Sequence, residues 1–240
     1  MNKIQSKKIL EEKIMDIPIY AIMCSLIIFL FMSLSFFSID FIIDAPGISY
    51  HDVKIPAIDN LIPYEPIMYI PYGLSYPFWI IGMMVVAKTG KEHYINFVIA
   101  VLVAYLIGFL ILIIFPTELN RVAEGTFHSR VNGIWDPVAN IFYANDGKTM
   151  GRKLFPSFHC LSSTMCYLGV MEKKEISVKY RVFALISTVI ICLSTLYCKQ
   201  HYFIDVPGGV LLGTACYVMC VKLNPGKRIL KGSSRISENA

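Results

Sequence analysis

Apolar runs of membrane-spanning length, separated by polar loops, dominate the pattern along this chain. The first is uninterrupted over residues 17–38, and a membrane helix needs about 20 such residues. It is too long for a signal-peptide core and lacks an Ala-x-Ala cleavage site, so it predicts an uncleaved first helix. Further spans are expected at 67–87, 95–115, 156–171, 182–198 and 202–221, the fourth of them short. Pro71, Gly73 and Pro77 predict a kinked or irregular first half for the second span. The pattern thus describes an all-α polytopic membrane protein, a six-transmembrane-helix bundle over residues 17–222. A polar, Lys-rich segment, 1–16, precedes it, and a basic, Ser-rich, mobile tail, 223–240, follows. No internal repeat is evident.

Composition agrees with this picture. Only 16% of the residues are charged, against about 25% in a soluble domain. The net charge of +5 does not point to nucleic acid, because the basic residues sit in loops and form no stripe with aromatics. The seven cysteines lie inside or at the ends of apolar segments, with no CxxC and no zinc spacing, and read as small core residues.

Loop charge sets the orientation. Four Lys in the N-terminal segment, two in 88–93, four Lys and Arg in 172–181 and five from Lys222 onward occupy alternate loops. These are expected on the cytoplasmic side, with both termini. The 39–66 loop carries only Lys54. It is acidic (Asp40, Asp44, Asp52, Asp59, Glu65) and Pro-rich, and reads as a solvated connection or a flap over an outer-leaflet site. The 116–155 loop, with five basic residues, breaks the trend and reads as cations held for function.

Ionisable groups at membrane helix ends are functional candidates by default, because burying them is costly. Two clusters fall on the expected outer face. Pro156-Ser157-Phe158-His159 precedes an apolar helix. Ser157 suits an N-cap, which places His159 in the first turn, where free N–H groups favour phosphate. In Lys199-Gln200-His201-Tyr202-Phe203-Ile204-Asp205, His201 and Asp205 are four apart and are expected to meet on one helix face. The carboxylate would fix the tautomer and leave Nε2 as nucleophile or base. Arg121, Arg130, Lys148, Arg152, Lys153 and Lys199 could supply positive charge around phosphoryl oxygens. Gly209 and Gly213 form a small-xxx-small face and read as close helix packing.

The P-S-F-H run, with H-Y-F-I-D about forty residues on, resembles the type 2 phosphatidic acid phosphatase superfamily over residues 67–221. That superfamily carries the signatures K-x6-R-P, P-S-G-H and S-R-x5-H-x3-D. Here Phe158 replaces the Gly of the second. The first survives as Pro116-Thr117 and Arg121, with Ile114 at the Lys position and Val122 at the Pro position; Thr195 stands at the Arg position of the third. Lys199 is placed to restore the lost charge, and the K-Q-H-Y form resembles the branch of inositol phosphorylceramide and sphingomyelin synthases.

The resemblance implies a phosphohistidine on His201, oriented by Asp205, with His159 protonating the leaving alkoxide. It implies Arg121 and Lys199, with Ser157, Arg152 and Lys153, around the phosphate. No cofactor and no metal are expected, since no outer-face carboxylate cluster resembles a two-metal site. The partners expected are the bilayer and a lipid phosphate substrate, with no obligatory protein partner and no nucleic acid. Three functions compete: a metal-independent lipid phosphatase acting on a phospholipid monoester or polyprenyl diphosphate, a lipid phosphotransferase with an alcohol acceptor, and a catalytically silent lipid-binding or transport protein. The expected location is the cell membrane, with the site extracytoplasmic. Reporter fusions after residues 60 and 140 should both read extracytoplasmic; a cytoplasmic signal at either would reverse the topology and move the site to the other face.

Overall fold

The computed structural model describes residues 11–43, 45, 47–126, 134–143 and 149–238, with side chains described to residue 232. Lys3, Lys7, Lys8, Asp44, Arg130 and Lys148 lie outside the described residues. In lipid an apolar chain must satisfy its backbone polar groups within itself, which favours helix. The helices of eight or more residues are α1 (Ile19–Ser38), α2 (Tyr69–Val86), α3 (Lys91–Ile114), α4 (Trp135–Tyr143), α5 (Phe158–Leu168), α6 (Val178–Tyr197), α7 (Asp205–Leu223) and α8 (Pro225–Glu238) among the described residues, with single turns at Asp40–Ile43 and Pro56–Asp59. Strands β1 (His51–Asp52), β2 (Thr117–Asn120) and β3 (Met150–Arg152) form a small sheet from the two long loops. β1 pairs parallel to β2, and β2 antiparallel to β3.

Five segments are long and apolar enough to cross a membrane among the described residues: Ile19–Ile43, Pro66–Thr89, Lys91–Ile114, Val178–Tyr197 and Asp205–Leu223. They make the chain an integral membrane protein. The six-span expectation is corrected at its fourth member. There α5 has 11 residues, about 16 Å of helix at 1.5 Å per residue, roughly half a hydrocarbon core. Its composition accounts for this. Ser162, Ser163 and Thr164 occupy its middle and are all buried, because α5 is packed among α2, α3, α6 and α7 and away from lipid. Interhelical hydrogen bonds hold it there: Trp79 Nε1–H donates to Ser163 Oγ (2.9 Å), and the Tyr105 and Ser162 hydroxyls lie 2.6 Å apart.

The chain nevertheless passes between the two ends of the bundle here. The Ser157 N–H donates to the Asp205 carbonyl at 3.1 Å. Beyond the other end of α5, Gly169 lies against Val86 and Phe97, and its carbonyl is 3.0 Å from His93 Nε2. Glu11 pairs with Lys91 at 2.8 Å, and Asn224 bonds Asn96 and Glu92. The start of α1 and the end of α7 therefore share the bundle end opposite the sheet.

Two local expectations are also revised. The irregular start of the second span is confined to a 3-10 turn at Pro66–Met68; α2 then runs unbroken with Pro77 inside it, and Pro71 sits in its first turn, where no intrahelical N–H is needed. The tail is the helix α8, because Asn224 takes the left-handed conformation (φ 47°) that ends α7, and Asn96 Oδ1 accepts the Gly226 N–H at 2.7 Å.

The seam between α5 and α7 depends on Gly209 and Gly213. A Cβ built at Gly209 would overlap the Ser157 carbonyl oxygen, and one at Gly213 would lie 3.1 Å from the Leu161 carbonyl oxygen. Both obstacles are backbone and cannot rotate away. Gly209→Ala should therefore lower stability by about 1–3 kcal/mol, as overpacking does, read as a lower unfolding temperature in detergent. Gly232→Ala, inside α8 with open space around its Cβ, should not lower it; equal loss in the two variants would contradict this seam.

Candidate active site

The two sequence clusters meet where α5 begins beside the start of α7. His201 is buried, and its Nδ1 lies 3.2 Å from Asp205 Oδ2. That oxygen also accepts the Tyr202 N–H at 2.9 Å. His201 and Asp205 do not share a helix face as the spacing suggested: residues 199–204 form a turn and Asp205 is the first residue of α7. The pair still forms, because the Asp205 side chain folds back over the turn. An acidic residue there also suits the positive end of the helix dipole. With the proton on Nδ1, facing the carboxylate, the lone pair lies on Nε2. The turn is fixed from α6, where the Thr195 carbonyl accepts the N–H groups of both Gln200 (3.0 Å) and His201 (3.1 Å).

His159 lies in the first turn of α5, which Ser157 caps by accepting the Cys160 N–H at 3.4 Å. Its ring stacks on Tyr72 with centroids 4.1 Å apart, and Trp79 meets it edge-on at 5.0 Å. The His159 and His201 ring centroids are 6.2 Å apart. Buried His159 Nε2 has no hydrogen-bond partner among the described residues.

Both histidines line a cavity of about 130 Å³. Its polar lining is His159, His201, Gln200, Arg152 and Lys153. Its apolar lining includes Phe29, Met32, Phe36 and Phe37 from α1, with Tyr76, Trp79, Tyr105 and Phe158. Lys153 is buried, pairs with Asp40 at 2.8 Å, and sits 4.3 Å from the centroid of the Phe36 ring.

The remaining candidates stand outside the cavity lining. Arg121 is fully buried behind it; its Nη2 donates to Gln200 Oε1 at 2.9 Å, and its guanidinium lies over Tyr143 at 4.4 Å. Lys199 turns away: its Nζ donates to the Asp59 carbonyl at 2.8 Å and lies 3.7 Å from Glu124. Ser157 is buried and engaged in capping. Among the described residues, no group of three or more His, Cys, Asp or Glu is gathered as metal ligands would be.

Sequence reasoning missed Gln200 and the whole apolar wall from α1. Phe29, Met32, Ser33 and Phe36 follow the i, i+3, i+4, i+7 spacing of one helix face, but in a run that is apolar throughout that face carries no contrast. It also left the Phe158 substitution unexplained. The ring enters a slot that exists because residue 108 is glycine: a Cβ there would lie 2.7 Å from Phe158 Cζ. Phe109 stacks on the same ring at 5.1 Å.

No curated protein matches the chain. The family model of the PAP2 superfamily matches residues 63–219, a segment that includes α2 to α6, nearly all of α7, both histidines and Asp205. The chain therefore belongs to the PAP2 superfamily, the type 2 phosphatidic acid phosphatases, whose general role is lipid phosphate hydrolysis or transfer.

Proposed function

We propose that this protein is a membrane lipid phosphatase that works through a phosphohistidine and needs no metal. The observation that carries the reading is the pair of histidines in one cavity lined by a few polar groups and a larger set of aromatic and aliphatic side chains. A lipid phosphate has the same division, an anionic head on an apolar tail. The tail would lie against α1 and the head against Arg152 and Lys153, with Arg121 adding charge from behind Gln200.

In the first step the His201 Nε2 lone pair attacks phosphorus, and the bond from phosphorus to the lipid oxygen breaks. His159 donates a proton to that oxygen, and the lipid alcohol leaves. Asp205 holds the imidazole and balances the positive charge that develops on it. In the second step water attacks the phosphohistidine, His159 takes a proton from the water, and inorganic phosphate leaves as His201 is restored. The absence of a gathered carboxylate set among the described residues supports a mechanism in which Arg152, Lys153 and Arg121 supply the positive charge. The loop charge pattern supports an extracytoplasmic position for this chemistry.

A second reading keeps the same first step and gives the phosphoryl-bearing group to an alcohol. The run Lys199-Gln200-His201-Tyr202, with Asp205, favours it through its resemblance to the synthase branch. One assay separates the two: phosphate release from a panel of lipid phosphates in detergent and EDTA, with and without an alcohol acceptor. Phosphate release that survives EDTA supports the phosphatase; a phosphate monoester of the added alcohol supports the transferase; loss of activity restored by magnesium contradicts the chemistry.

The two histidines should fail differently in that assay. His201→Ala removes the attacking atom and should abolish turnover of every ester. His159→Ala removes a proton donor, worth typically about 10²–10⁴-fold, and should recover substantially on a nitrophenyl phosphate, whose leaving group needs no proton. Equal loss on activated and ordinary esters in His159→Ala would contradict the assignment.

A further inference from the structure

We propose that Asp59, which lies outside the family-matched segment, is the positioning residue that fixes the turn carrying His201, with Lys199 as its counterpart in that turn. The inference rests on the phosphoryl-transfer reading above. Asp59 is 2% exposed, and both its carboxylate oxygens are engaged. Oδ1 accepts the Phe203 N–H at 2.7 Å, and Oδ2 accepts the Ile55 N–H at 2.6 Å within its own turn. Its backbone carbonyl accepts the Lys199 ammonium at 2.8 Å. One residue therefore grips the His201 turn on both sides, two positions before the histidine and two after it.

The turn needs this grip. Lys199 has φ 50°, a left-handed conformation that a side-chain-bearing residue adopts at some cost. Such a backbone persists when its surroundings over-determine it. Glu124 adds to the constraint, lying 3.7 Å from Lys199 Nζ and accepting the Tyr202 hydroxyl at 3.4 Å. The buried Lys199 ammonium thus faces the Asp59 carbonyl and Glu124, which also pairs with Lys54. The departure of Lys199 from the cavity and the burial of Asp59 are then one arrangement: the ammonium clamps the nucleophile's turn onto the 55–59 segment and does not hold substrate.

Positioning and substrate contact predict different kinetics. A nucleophile displaced by about 1 Å costs on the order of 10²-fold in rate, whereas loss of a phosphate contact made equally in ground and transition states raises KM. The test compares the full chain with Asp59→Asn and Lys199→Met, purified in detergent, on a dioleoyl phosphatidic acid probe. Phosphate release gives kcat and KM, and thermal unfolding checks the fold. Both variants should lose about tenfold to hundredfold in kcat with KM within about twofold of the parent chain. A folded variant with unchanged kcat overturns the inference, as does a Lys199→Met whose KM rises while kcat holds. If Asp59→Asn does not fold, Lys199→Met alone decides by the same split. If the unaltered chain releases phosphate from no lipid phosphate, the phosphatase reading fails and this inference with it, an outcome distinct from an active parent with indifferent variants.

Discussion

The close approach of α5 to α7 is the constraint on which the rest of the structure depends. Glycine at 209 and 213 lets the two helices meet at backbone distance, with the Ser157 N–H donating directly to the Asp205 carbonyl. That single junction brings His159, in the first turn of α5, to the turn that carries His201. It also explains why α5 is short. A helix buried on all sides among four others, with Ser162, Ser163 and Thr164 at its centre, has no lipid-facing surface to extend and starts below the sheet built from the two long loops. The cavity is the space above its N-terminus, walled by α1.

Burial makes every cation near this cavity costly unless it is paired, and the pairing sorts them. Lys153 pairs with Asp40 and lines the cavity; Arg121 bonds Gln200, which lines it; Lys199 is held by Asp59 and Glu124. The sequence alone offers all three as loop cations available to a phosphate, with Arg121 and Lys199 foremost. Their different partners give them different work. The lysine at 153 lines the cavity, whereas the lysine at 199 ties the turn that carries His201 to Asp59.

Much of this was legible in the chain itself. Hydropathy located the long spans, since length and apolarity are the properties a bilayer selects. The Ser157 N-cap placed His159 in a first turn, and the four-residue spacing brought His201 to Asp205, though through a turn and not along a helix. The short fourth span was legible only as short: nothing local distinguishes a buried polar-centred helix from a marginal membrane helix. The α1 wall and the Asp59 grip were illegible for a different reason. Phe203 and Asp59 are 144 positions apart, and such contacts are decided by tertiary packing, which no local pattern encodes. Phe158 became intelligible only beside Gly108, fifty positions away in the chain.

The central claim is that His201 forms a covalent bond to phosphorus. It is tested most directly by quenching the protein at steady state with a lipid phosphate labelled at phosphorus and locating the bound label. The account predicts an acid-labile, base-stable phosphoryl group on the peptide that contains His201, retained in His159→Ala and absent from His201→Ala. Label on any other residue, or label that survives the loss of His201, would contradict it.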